Sequence, residues 1–302
     1  MATLIPNDQL LRELIPNVFS NVKGETPLFD KIAPFLNSAE QWLINNFCSL
    51  KTFNVICGYT DENPTKVTAQ RIAVCEALRN AVPSLDLVLT PNGFGVVSNQ
   101  NIAPASKERV ARLVASLAEQ RDDLLELFIP MLVSASKWKE SEQFAFFSAS
   151  LFPNIDLASL CGTSTNRWEK YVELRPKAID IEDSLAEEFF SPELMKKLRL
   201  AVIGGSVTSA VEPVVRGIKA QVVDVLLGKS FNMRRMVELV NIIRNDKNSF
   251  PEWHNSATAK LFAPPVFKNS KDHEKACRMF LQAFLFFPTK FLLTQNMFNN
   301  SK

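Results

Sequence analysis

Glycine is scarce in this chain: nine in 302 residues, about half the usual share of roughly 7%. Nucleotide-binding α/β folds spend glycine freely on phosphate loops and strand–helix turns, so a mostly helical chain fits better. Tyrosine is scarcer still, two against 23 phenylalanines, which puts the aromatic content into apolar mass without a hydroxyl for recognition or acid–base work. Two histidines, His254 and His273, accompany five scattered cysteines, Cys48, Cys57, Cys75, Cys161 and Cys277. That odd set, with no C-x-x-C, fits neither a disulfide framework nor a zinc site, and reduced, buried thiols are expected. Charge excess is missing too: 34 basic against 32 acidic side chains leave a net +2, no long-range field for gathering polyanions. The longest apolar region, 280–293, is broken by Gln282, Pro288 and Lys290 and falls short of the ~20 residues of a membrane helix. Residues 1–14 contain Pro6, Asp8, Arg12 and Glu13 and do not resemble a secretion signal, so a reducing cytosol is the expected place of synthesis, with no membrane partner. Phosphate-loop, H-E-x-x-H, G-x-S-x-G and EF-hand spacings are all lacking. No catalytic set, cofactor or metal is expected.

What is there is hydrophobic patterning. At 46% hydrophobic and 22% charged the chain is of globular composition, and its length suits two domains. The reading is mainly α: helical bundles with one β-hairpin at about 85–98. Ser38-Ala39-Glu40-Gln41 has capping-box spacing and predicts a helix to about Ser49, with Trp42, Leu43, Phe47 and Leu50 on one side. A second helix runs over 65–81 and stops at Pro83. Leu85, Leu87 and Leu89 then alternate as in a half-buried strand, Pro91-Asn92-Gly93 supplies a turn, and 94–98 returns as its partner. Ser106 caps an amphipathic helix over 107–120 that resumes to Phe128 until Pro130 kinks or ends it, and another starts at Ser141. Residues 151–166, with Pro153, Gly162 and a Thr-Ser-Thr-Asn turn, read as a linker between an N-terminal domain (1–150) and a C-terminal domain (167–302). Helices are expected over 166–173 and 179–190, from Ser191-Pro192 to Gly204-Gly205, from Pro213 to Gly228, and after Asn232. A faint echo of Arg112-Leu113-Val114 and Arg121-Asp122 in Glu238-Leu239-Val240 and Asp246-Lys247 raises two similar helical domains as one reading; helical punctuation alone can produce it.

Few residues point to chemistry. Gly204-Gly205-Ser206 reads as a helix end rather than an anion cradle. Asp180, Glu182, Asp183, Glu187 and Glu188 read as a solvated helix face, since no matched basic or histidine partner accompanies them. His254, beside Trp253, lacks a partnered nucleophile and reads as a surface or interface residue. Lys107, Arg109 and Arg112, Lys196, Lys197 and Arg199, and Arg234 and Arg235 lie on polar helix faces; Lys107, Arg109, Arg112, Arg234 and Arg235 are the candidates for a DNA backbone contact. The apolar run 279–287, with Phe284 and Phe286, has to be buried on its own core or on a partner.

The stretch 84–99, Ser-Leu-Asp-Leu-Val-Leu-Thr-Pro-Asn-Gly-Phe-Gly-Val-Val-Ser-Asn, followed by Ile102 to Val110, resembles a structural protein family of tailed phages and prophages. Weaker similarity covers Leu4-Ile5-Pro6 and 7–49, and the second half matches only in helical character. The helical plan with one hairpin is similar to head–tail connector, or adaptor, proteins of long-tailed phages. That resemblance implies a non-enzymatic homo-oligomeric ring subunit, made in the bacterial cytoplasm and placed in the virion neck between portal and tail or neck proteins, with DNA contact only within the assembly. Leu87, Leu89, Phe94, Val96, Phe284 and Phe286 would then lie between subunits. The alternative is a nucleic-acid-binding or regulatory helical protein of the same mobile element.

Overall fold

The periodicity resolves into helices in the computed structural model, which describes residues 3–15, 26–85, 87–90, 93–96 and 106–262. A short α1 (Asp8–Leu14) begins at Asn7, whose side chain accepts from the Leu10 N–H. It is followed by α2 (Leu28–Asn46), α3 (Leu50–Cys57) and α4 (Pro64–Ala81). The helix expected to start at Ser38 starts a full ten residues earlier and runs through Pro34. Ser38 lies inside it, its hydroxyl donating to the Pro34 carbonyl at 3.0 Å, the back-bond that serines make within helices. Helix α3 was not foreseen, because its eight residues are too few to show periodicity.

Helix α4 is the centre of the first half. Asn63 caps it by accepting from Thr65 and Lys66, Pro64 fills the first helical place, and Ala69, Ala73, Ala77 and Ala81 recur at every fourth residue, all buried. Such a stripe of small side chains lets neighbouring helices approach closely, and α2 lies against α4 together with α5 (Lys107–Leu132). A tight turn through Pro83 ends α4. Beyond it β1 (Leu87–Thr90) and β2 (Gly93–Val96) run antiparallel, with Leu87 opposite Val96 and Leu89 opposite Phe94. The side chains of this ladder and residues 91–92 and 97–105 lie outside the described residues.

The second half is built on α8 (Arg167–Leu185), which touches α5, α7 (Asp156–Leu160), α9 (Pro192–Ile203) and α10 (Glu212–Leu226). Two helices were expected here, yet one continuous helix passes through Pro176. Proline removes the bond to the carbonyl four residues back, and that residue, Val172, is exposed, so water can take the freed acceptor. A π-turn, Ala186–Phe190, closes α8 with the Ser191 N–H on the Ala186 carbonyl at 2.7 Å. Ser191 then caps α9. Gly205 and Gly228, at φ +63° and +73°, terminate α9 and α10 in the left-handed conformation open to glycine. Helices α11 (Met233–Asn245) and α12 (Pro251–His254) complete this part.

The stretch 151–166 does not separate two bodies. It carries α7, and Leu151, Phe152, Ile155, Leu157 and Ala158 are wholly buried; Met1–Ser256 forms one compact unit. Aromatic residues from both halves explain why. Phe47, at the end of α2, lies 4.4 Å from the Trp168 ring and stacks with Phe147 of α6 (Glu142–Ser148), which in turn stacks with Tyr171 of α8. Trp138 Nε1 donates to the Phe47 carbonyl at 2.7 Å and the Tyr171 hydroxyl to the Phe152 carbonyl at 2.9 Å, so the polar ends of these buried rings are satisfied. Nor do the two echoing stretches match: Arg121-Asp122 falls in mid-α5, whereas Asp246 ends α11. A second unit begins at Ala257, with α13 (Ala257–Leu261) as its described helix.

Candidate functional site

The fullest gathering of charge lies where α4, α5 and α8 meet. Arg121 is completely buried. Its guanidinium reaches Glu76 at 2.9 Å, Asp122 at 2.7 Å and Glu169 at 3.0 Å, and its charge lies 5.4 Å from the centre of the Trp42 ring. Arg79 grips Glu76 from the other side at 2.9 Å. Asp122 also accepts the Arg167 N–H at 2.7 Å, the first residue of α8, while the Arg167 guanidinium binds Asp123 and Glu126. Burial alone would raise the Glu76 carboxyl, but the hydrogen bonds and charges of Arg79 and Arg121 hold it below the usual carboxylate range. For Asp122 burial prevails over Arg121 and the pKa is raised. Arg121 itself is pushed further toward the charged form by Glu169, Asp122 and Glu76, against its burial. The arrangement holds three helices together.

Of the acidic cluster, Asp180, Asp183 and Glu187 are exposed as a solvated face would have them, and the exception is a second buried carboxylate, Glu182. It is fully buried and accepts from the Ser150 hydroxyl at 2.7 Å, from the Leu151 N–H, and from Arg199 Nε at 2.8 Å. Burial raises its pKa despite Arg199. Arg199 also reaches Asp183 at 2.8 Å, so a basic partner does exist, supplied from α9. Among the described residues no group of histidine, cysteine or acidic side chains is placed to hold a metal ion.

The candidates for DNA contact divide. Lys107, Arg109 and Arg112 are exposed on the first turns of α5, where Ser106 accepts from the Arg109 N–H. Arg234 pairs with Glu238 at 2.9 Å, and Arg235 with Asp224 at 2.8 Å, so α11 spends part of its positive charge internally. Lys197 is likewise paired, with Glu252 at 2.8 Å. His254 faces the Ile243 carbonyl at 3.0 Å and stands edge-on to Trp253. Of the cysteines, Cys48 and Cys75 are buried and Cys57 and Cys161 half-buried, all as free thiols; burial pushes Cys57 and Cys75 each up to about 11, far from a reactive thiolate. The expected interface residues Leu87 and Leu89 are paired in backbone register with Val96 and Phe94, while Phe284 and Phe286 lie outside the described residues.

A shallow hollow of about 430 Å³ opens on one face of α2, lined by Asn37, Ser38, Gln41, Trp42, Asn45 and Asn46. Its walls are amides, a hydroxyl and one indole, a surface suited to contact and carrying no acid or base of its own. Among the described residues, no helix is long and apolar enough to cross a membrane. No curated protein and no solved structure matches the chain. Residues 15–148 match a protein family, described as a family of unknown function (DUF6712); the likeness spans α2 to α6, with Glu76, Arg79, Arg121 and Asp122 of the junction inside it and Arg167 and Glu169 beyond it.

Proposed function

We propose that this chain is a non-enzymatic structural subunit that assembles with copies of itself into a ring, a head–tail connector of a tailed phage. The observation that carries this reading is the use of the buried ionisable groups: Arg121, Glu76, Asp122 and Glu182 are each consumed by bonds within the fold, as in a rigid building block. The likeness of 84–99 and 102–110 to phage structural proteins supports it. In this reading the β1–β2 ladder offers an edge to a neighbouring chain, with Leu87, Leu89, Phe94 and Val96 between subunits, joined by Phe284 and Phe286. A closed ring repeats one heterologous contact around an axis. Portal and tail or neck proteins are its partners, and the virion neck its location. Phe94→Asp tests the interface: the variant keeps its helical circular dichroism and loses assembly by light scattering. Unchanged assembly sinks the ladder as the contact.

The exposed Lys107, Arg109 and Arg112 favour a second reading, a nucleic-acid-binding or regulatory protein. It requires a salt-dependent shift of duplex DNA by the purified chain that is lost when all three become alanine.

A further inference from the structure

One face of α2 is polar and carries no charge. Across residues 32–50 the one charged side chain is Glu40, in a chain that is 22% charged. Glu40 is buried and accepts from the Thr3 hydroxyl at 2.8 Å and the Leu4 N–H at 2.7 Å. The hollow of about 430 Å³ is lined instead by Asn37, Ser38, Gln41, Asn45 and Asn46 around Trp42. Asparagine and serine are poorer helix formers than the lysine, glutamate or alanine that suit exposed mid-helix positions, so local stability does not account for them. Asn37 and Asn45 are exposed, and their carboxamides make no hydrogen bond among the described residues; each offers both donors and an acceptor. The Ser38 hydroxyl donates to the Pro34 carbonyl at 3.0 Å and Asn46 Nδ2 to the Trp42 carbonyl at 2.8 Å, which leaves both side-chain oxygens as acceptors. The indole is fixed from its buried side, with Phe47 edge-on at 5.0 Å, Trp168 at 6.2 Å and the Arg121 guanidinium 5.4 Å from the ring centre. Of the four tryptophans, Trp138, Trp168 and Trp253 are buried, and Trp42 is the half-buried one.

We propose that this hollow is a binding site for a neutral saccharide. Its wall has no charge with which to pair a phosphate, a carboxylate or an ammonium group. Sugar hydroxyls donate and accept at once, as the carboxamides of Asn37 and Asn45 do, and the C–H face of a sugar ring suits an exposed portion of an indole. An apolar platform with a few polar groups around it is the composition of a small-ligand site. Asn37 and Asn46 are about 13 Å apart along the axis at ~1.5 Å per residue, room for a short saccharide. Because Trp42 is already held in place, binding need not pay for ordering it. The inference stands apart from the ring reading.

The test is a titration of the full chain with glucose, galactose, N-acetylglucosamine and maltose, read by tryptophan fluorescence and by saturation-transfer NMR on the sugar. At least one sugar gives a saturable change at millimolar concentration, and sorbitol, which has no ring to lay on the indole, gives none. Trp42→Phe abolishes the fluorescence change. Asn37→Ala combined with Asn45→Ala, at exposed positions where alanine favours the helix, keeps the helical circular dichroism and weakens binding by about tenfold or more. This arm leaves the buried side of α2 untouched. No saturable change with any of the sugars, an equal response to sorbitol, or undiminished binding by the asparagine double variant overturns the site. A response to a neutral oligoalanine peptide in place of the sugars gives the hollow to polypeptide and overturns it too. Each of these outcomes is distinct from whether the chain forms rings.

Discussion

Arg121 carries its charge without access to water and with three carboxylates around it. Taking away one member of such a buried set is costly because the others stay behind uncompensated. Arg121→Met should lower unfolding stability at neutral pH by about 3–5 kcal/mol, measured by urea denaturation. The loss should shrink in acid. Asp122 already has a raised pKa because burial prevails over Arg121, and without the arginine it rises further while Glu76 keeps only Arg79; through Asp122 the variant is least handicapped below the unfolded value and loses stability as pH rises through the folded one. In the unsubstituted chain Glu76 behaves oppositely: its pKa is lowered, so its contribution is present above the unfolded value and is lost as pH falls through the folded one. A deficit independent of pH would contradict the junction. None of this was legible beforehand, since Glu76, Arg121 and Glu169 are far apart in sequence and look like ordinary polar-face residues. Glu182 was misread for the same reason, its partner Arg199 coming from the next helix.

Helix starts marked by a short polar side chain were readable: Ser106, Ser141, Ser191 and Asn232 all cap where expected. The misses came from proline and from local look-alikes. Pro34 and Pro176 lie within continuous helices, and the Ser38 spacing imitates a start. Packing between helices adds constraints that periodicity cannot carry. On α10, Gly217 approaches α11 so closely that an added Cβ would lie 2.6 Å from a Leu239 methyl. Gly217→Ala gains about 1 kcal/mol of helix propensity and meets an overpacking cost of about 1–3 kcal/mol. Because Leu239 is buried and has little room to turn aside, the net should be a loss of about 1 kcal/mol, read as a lower thermal midpoint. A rise would mean that Leu239 finds another rotamer at no cost.

At the scale of the whole molecule, the division at 151–166 failed because proline and glycine mark turns equally well inside a domain and between domains. What joins the halves is aromatic burial, Phe47 against Trp168 and Phe147, across a sequence distance no local pattern reports. The helical class, by contrast, follows from scarce glycine and sustained three-to-four-residue spacing, and the structure is helical in that way. The function proposed above is one of association, and its central claim is that identical copies close into a ring. Negative-stain electron microscopy of the purified full chain, paired with native mass spectrometry, measures it directly. The account predicts annular particles of one dominant copy number; uniform monomers at high concentration would contradict it.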